Sequence, residues 1–472
     1  MKLDKFLKDN YNYNPEVRDN IQSYIDTWYS WYRGNVRSFH NYFIYNGNKK
    51  IKQKRYTLNM AKEISEDWSD ISWSEKCGVS LKDEQSQEKF NEISNNLDLT
   101  SVINQVIEKC GALGTEALVL SVYDIIENED GMVLDTSNAK IRLDIVDVNN
   151  IYPISWSNKE ITECAFGSVE YIDGKKYVVL SVHVIGENGN YIIHNHLFSD
   201  SNGNLTEIDT KDTLQEFDTK SNVKWFSIFR PLLTNNIFDD NPFGIPHYAN
   251  AIDNLKSVDT VFDAIKNEIV DGRKRLFVRA DMFNYDNGEQ KLVFDPNDTT
   301  VYQLPKDATK DDLIQSDSDT LRTASLIETL NTELNILGNK VGFGENHYHF
   351  DGTNLSTATA VVSSNSKLFR RKKKLEIGYE SSIYDLVNAI CYIYNNIIGE
   401  SLNYEEIVIQ FDDSIIEDKE AESARAMREL SAGVIDGAEY RERIFGETPE
   451  IAKQKIADIK ANNPTITDLL GE

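Results

Sequence analysis

Between Thr320 and Gly399 the chain reads TLRTASLIETLNTELNILGNKV (320–341), GFGENHYHFDGTNL (342–355) and STATAVVSSNSKLFRRKKKLEIGYESSIYDLVNAICYIYNNIIG (356–399). Leu326, Leu330, Leu334, Leu337 and Val341 recur at spacings of four and three, which predicts a helix that stops at Gly342. Ser356 caps a second helical pattern that continues through Val361, Leu368, Leu375, Tyr379, Ile383, Leu386, Ile390, Ile393 and Ile397 to Gly399. At ~1.5 Å per residue this helix is on the order of 65 Å long, and Gly378 is the expected place for a bend. The loop between the two helices combines turn-permitting glycines with an unusual density of aromatic and histidine side chains. His347 and His349 alternate as residues on one face of an extended strand do, and no third ligand accompanies them, which favours that reading over a metal site. Arg370 to Lys374 form a basic run inside the long helix, where five consecutive residues spread over more than one turn instead of forming a narrow stripe.

Upstream, a helix is predicted from Asn14-Pro15 to Gly34 and another over 57–73, with Leu58, Ala61, Ile64, Trp68 and Ile71 inward and Glu63, Glu66, Asp67 and Asp70 outward. From about Leu118 to Phe229, β-branched and aromatic runs punctuated by Asp-Gly and Asn-Gly predict antiparallel strands. Asp200 to Asn204 resembles the start of a calcium loop, but its glycine is misplaced and a hairpin turn is the better reading. A long helix after Gly244 carries Leu255, Val258, Phe262 and Ile265 on one stripe and ends at Gly272, leaving Asp253, Asp259, Asp263 and Glu268 to a solvated face. Strand-like pieces follow at 276–279, 291–294 and 301–304, then an acidic linker through Asp319. After Gly399 come one strand, 407–411, and short charged helices near 420–430, 437–445 and 450–459, a tail with little core of its own that should need neighbours.

The chain has 472 residues, too many for one core, and its 40% hydrophobic and 10% aromatic content predicts an ordered protein of several regions, which the mix of helical and strand patterns makes α+β. Its 77 acidic and 50 basic residues give a net charge of −27, which argues against a protein that wraps DNA or coats an anionic membrane. No apolar run approaches the ~20 residues of a membrane span, and the N-terminus lacks a signal-peptide core, so use inside a cell or particle is expected. The four cysteines, without Cys-x-x-Cys spacing, suit reduced core thiols. Phosphate-loop, His-Glu-x-x-His and Gly-x-Ser-x-Gly patterns are absent, so no enzyme, cofactor or metal is expected.

The order of parts resembles the phage portal proteins of Gram-positive hosts. The closest local matches are Tyr56 to Lys62, Phe243 to Pro246 leading into Asp259 and Asn267-Glu268, the Gly342-Phe343-Gly344 turn, Thr357 to Val361, and Asn365 to Arg370. The resemblance implies a portal-type subunit: a mixed wing over 1–246, stem helices over 247–274 and 320–341, and a small β-containing clip over 275–319. It further implies a tunnel loop over 342–355, a very long helix and returning wing strand over 356–419, and an all-α crown over 420–472. Twelve such subunits would form a ring at one capsid vertex of the virion, assembled in host cytoplasm, passing double-stranded DNA without sequence preference. The implied partners are the terminase large subunit, head-completion or adaptor proteins, and major capsid and scaffolding proteins, with no membrane.

On that reading Asn346, His347, Tyr348, His349 and Asn354 face the duplex. Arg370, Arg371, Lys372, Lys373 and Lys374 either form a basic ring or pair with acidic neighbours, and Arg279, Asp281, Lys291 and Tyr302 lie on the clip docking surface. A different head-tail connector or minor capsid component, and a metal-dependent nucleic-acid hydrolase, are the competing readings.

Overall fold

The computed structural model describes residues 3–46, 49–124, 126–127, 133–136, 139–172, 174–201, 204–208, 215–272, 275–279, 301–304, 314–317, 321–344, 347–349, 358–412, 419–445 and 448–462. Helices Leu3–Tyr11 and Glu16–Tyr32 open the chain. The second starts one residue after Pro15, where the Asn14 side chain accepts the Glu16 backbone N–H, and it buries Ile21, Ile25, Trp28 and Trp31 at helical spacing. It packs with helices Met60–Ser72 and Leu99–Leu113. Leu99–Leu113, absent from the sequence expectations, buries Leu99, Ile103, Val106, Ile107 and Cys110. Those residues carry the helical period, and the helix ends at Gly114, whose φ of +88° is the left-handed conformation, just before the buried strand Glu116–Tyr123.

Among the described residues the β region holds two main antiparallel sheets and a minor two-stranded one, Ile126–Glu127 with Val133–Asp135. In the larger, Lys175–Ile185 lies between Glu160–Ile172 and Tyr191–Ser201, with Ile151–Ser157 and Asn204–Ile208 outside them. Ser201 pairs with Asn204 across a two-residue connection, the hairpin expected there in preference to a calcium loop. One face of this sheet holds a small core of Phe6, Leu7, Tyr13, Leu180, Val182 and Phe198. In the smaller main sheet, Glu116–Tyr123 lies between Phe226–Phe229 and Lys140–Asp147 and belongs to the main core shared with the helices.

The long helix Ala358–Ile393 crosses Phe226–Phe229, where the Ser227 hydroxyl donates to the Ser382 carbonyl and the Ser382 hydroxyl to the Ile228 carbonyl. It continues in a π-type turn, Tyr394–Ile398, before Gly399. The helix is uninterrupted at Gly378, whose role is close approach: a Cβ there would sit 3.0 Å from Leu232 Cβ. After it, strand Ile407–Gln410 pairs with Gly78–Leu81, bringing distant parts of the chain together. The architecture is α+β.

Helices Ile252–Asp271 and Thr323–Val341 pack against each other. Between them Arg275–Arg279 pairs in parallel with Val301–Leu304 and antiparallel with Ile314–Asp317. The expected acidic linker therefore contains a strand, while the expected 291–294 strand lies outside the described residues. The tail forms helices Lys419–Ser431, Gly437–Phe445 and Pro449–Asn462. Among their described residues the buried hydrophobic side chains are those of Ala426, Ala438 and Ala452, which leaves this segment with very little core.

The acids of helix Ile252–Asp271 do not share a solvated face. Asp253 is exposed, but Asp259 and Asp263 are buried. Asp259 accepts the Leu58 N–H at 2.9 Å and meets His40 Nε2 at 3.0 Å; Asp263 accepts the Tyr56 N–H at 3.0 Å and the Tyr42 hydroxyl at 3.3 Å. These carboxylates terminate backbone donors of a segment about 200 residues away, a use that helical periodicity does not reveal. Asp259→Ala should leave the Leu58 N–H and His40 without their acceptor and lower stability by about 3 kcal/mol in chemical denaturation.

Candidate functional site

The loop that follows helix Thr323–Val341 is built outward from Gly342. That residue has φ +105°, the left-handed conformation that ends the helix and favours glycine. Phe343 then turns inward and is buried, its ring stacked on Trp68 at 4.5 Å between centroids. His347 stacks on the other side of Phe343 at 4.2 Å and 4°. Trp68 Nε1 donates to the Val341 carbonyl at 3.3 Å, and the Tyr348 hydroxyl donates to Asp67 Oδ2 at 2.7 Å. His347 Nε2 lies 3.3 Å from the same carboxylate oxygen. Two adjacent residues of helix Met60–Ser72, Asp67 and Trp68, thus hold both ends of the described loop.

Among the residues expected to face a passing duplex, His347 is exposed and His349 half-buried. Tyr348 is drawn against the protein, and burial with the Asp67 carboxylate beside it pushes its phenol pKa up, keeping it a neutral donor. Asn346 and Asn354 lie outside the described residues. The partner of His347 and Tyr348, Asp67, was read from sequence only as part of an outer helix face. Nothing local signals its use, since 280 residues separate it from His347.

The basic run divides by direction. Arg370 and Lys374 are exposed and Arg371 is half-buried, whereas Lys372 is buried, ion-paired with Glu376 and donating to the Asp412 carbonyl at 2.7 Å. Lys373 reaches Glu376 as well, at 3.2 Å. Lys372 and Lys373 thus share an acidic partner, Glu376. Arg371 lies along Gly342, where an added Cβ would come within 3.0 Å of its Cγ, so the long helix also packs on the start of the loop.

Beneath this junction His247 is fully buried, 5.5 Å from the Trp68 ring, with neither ring nitrogen hydrogen-bonded among the described residues. Burial, with the Arg371 charge adding to it, lowers its pKa well below the ordinary imidazole range, so the ring is neutral.

Of the expected clip residues, Arg279 ends strand Arg275–Arg279 opposite Leu304, and Tyr302 lies opposite Phe277 on the adjacent strand. Asp281 and Lys291 lie outside the described residues. Among the described residues no group of three His, Cys, Asp or Glu side chains could hold a metal ion, and no helix is long and apolar enough to cross a membrane. All four cysteines are buried and unbridged.

A family model described as phage portal protein, SPP1 Gp6-like, matches residues 14–465. The chain belongs to that family. No curated protein matches it. Portal proteins are structural components of the phage head, and their family is not one of enzymes. For this portal subunit, the matched region takes in the clamped loop, both helices that flank it and most of the helical tail.

Two measurements separate support from surface in this region. Lys372→Ala removes the buried partner of Glu376 and leaves that carboxylate with the exposed Lys373; it should cost about 2 kcal/mol in chemical denaturation, whereas exposed Lys374→Ala should change stability by less than about 0.5 kcal/mol. His247 stays neutral when folded but takes a proton when unfolded, so its contribution is present above about pH 6.5 and is lost as pH falls below it. His247→Phe should therefore flatten the decline in melting temperature over that acid range.

Proposed function

We propose that this portal subunit assembles into a ring of twelve around a channel at one capsid vertex, through which double-stranded DNA enters during packaging and leaves during ejection. Family membership across nearly the whole chain carries the reading. In this scheme 1–246 is the wing, 247–274 and 320–341 the stem, 275–319 the clip and 420–472 the crown. The loop over 342–355 lines the channel, and the long helix with its returning strand, 356–419, ties that loop to the wing. His347, exposed at the clamped root of the loop, is the described side chain best placed to touch the duplex, with Tyr348 and His349 beside it. The clip strands offer Arg279 and Tyr302 to the terminase large subunit during packaging and to an adaptor protein afterwards. Major capsid and scaffolding proteins surround the wing.

The chemistry suits passage without capture. Sequence-independent affinity for DNA comes from cations that neutralise phosphates, and a chain of net charge −27 supplies few to spare. Lys372 and Lys373 are further committed to Glu376, which reduces the basic run to a weak electrostatic feature.

Negative-stain imaging of the purified full chain should show rings of one size class with a central hole; a species that stays monomeric at every concentration overturns the proposal. Replacing residues 342–355 by a Gly-Ser linker should leave rings intact and reduce DNA packaging at least tenfold in a reconstituted assay. Loss of rings instead would make the loop an assembly element.

A further inference from the structure

The acidic character of the chain is interrupted over its longest acid-free stretch near the N-terminal end, with a shorter one over 352–375 that holds the Arg370 to Lys374 run. Residues 27–62 contain no Asp or Glu and eight Lys or Arg, so all 77 acids, against 42 of the 50 basic residues, belong to the rest. At the centre of this stretch strands Asn41–Asn46 and Lys49–Lys54 form a two-stranded antiparallel hairpin that joins no other sheet among the described residues. In its register Phe43 lies opposite Lys52 and Tyr45 opposite Lys50, which puts aromatic rings and ammonium groups on one face. Lys50 Nζ sits 4.0 Å from the centre of the Phe43 ring. Ile44 and Ile51 face each other on the other side.

Root and tip of the hairpin are held very differently. At the root, His40, Tyr42, Tyr56 and Leu58 are fastened to the buried carboxylates Asp259 and Asp263, and Arg55 lies over the Phe39 ring. Toward the tip Phe43 is 50% and Tyr45 73% exposed, and Ile44 and Ile51 are exposed as well. Isolated two-stranded hairpins are marginal in water, and both open edges carry unpaired backbone groups. A ribbon with a rigid root, apolar side chains on both faces and basic residues along one is built to be covered.

We propose that this hairpin is an arm that docks on a second copy of the same chain, resting on the portal reading above and naming one contact of its ring. Charge complementarity identifies the occupant: the arm is basic, and every acidic residue of a neighbouring copy lies outside the 27–62 stretch. The two apolar faces favour a protein surface over a nucleic acid, since Lys50, Lys52 and Lys54 could neutralise phosphates but Ile44 and Ile51 offer a duplex nothing.

A combined Lys50→Glu, Lys52→Glu, Lys54→Glu chain and a separate Tyr45→Cys chain test the arm, with circular dichroism and melting temperature confirming that each folds. The wild-type chain should form rings by sedimentation. The triple-Glu chain should form rings only at a protein concentration at least tenfold higher. A thiol-directed photo-crosslinker on Cys-substituted Tyr45, selective because the native cysteines are buried, should yield covalent chain dimers whose second attachment lies in an acid-bearing segment. Rings at unchanged concentration, or crosslinks confined to one chain, overturn the arm and leave the portal reading standing. Absence of wild-type rings overturns the portal reading itself. If the triple-Glu chain forms rings normally but loses retention of a 30-bp DNA duplex, the arm binds nucleic acid and the proposal is wrong.

Discussion

The indole of Trp68 is the contact on which the arrangement of the long elements depends. Its Nε1 satisfies the carbonyl of Val341, one of the C-terminal acceptors that every helix leaves open. Its ring supports Phe343 on one side of the junction and neighbours His247 below. Without that support helix Thr323–Val341 would end in a buried turn with an unpaired carbonyl and a void beside Phe343. Because the long helix places Arg371 on Gly342 next to the same ring, one side chain of the N-terminal body sets where both helices meet. Trp68 is fully buried, as Trp28 and Trp73 are, and it lies at the point where three segments converge.

Charge is handled in two ways in so acidic a molecule. Asp259, Asp263 and Glu376 are drawn inside, where each is matched to backbone N–H groups, a histidine, a phenol or a lysine. Buried carboxylates of this kind are stable only when their oxygens are satisfied, so they fix which segments lie together more than they add net stability. Glu116 is buried too, where desolvation raises its pKa well above the ordinary carboxylate range, and repulsion among the acids that are exposed opposes close association of like chains. In the proposed ring, a basic, apolar arm rooted on two of the buried carboxylates would offset that repulsion locally and link the internal electrostatics to assembly.

Much of the helical content was legible because burial along one stripe leaves a repeating signal. Thr323–Val341, Ile252–Asp271, the C-terminal helices and the glycine ends at 342 and 399 follow from spacing and from the left-handed preference of glycine. The hairpin at 41–54 escaped detection because its apolar residues are exposed on both faces, so it lacks the alternation of a half-buried strand. Of the candidate site, the loop residues themselves stood out by composition. Their partners did not, since Asp67 looks like any outward acid of an amphipathic helix until Tyr348 is brought to it.

By itself the sequence determined the α+β character, the long helix pair with its glycine-bounded aromatic loop, and, through the order of its parts, the resemblance to portal proteins. Those depend on periodicity and on local backbone preference, which act between near neighbours along the chain. Tertiary structure alone decided which acids are interior, that Lys372 and Lys373 pair with Glu376 while Lys374 faces solvent, and that Gly378 serves contact with Leu232. The reason is that desolvation and pairing are settled by groups up to 280 residues apart, such as Asp67 and His347, and no local pattern encodes such a distance.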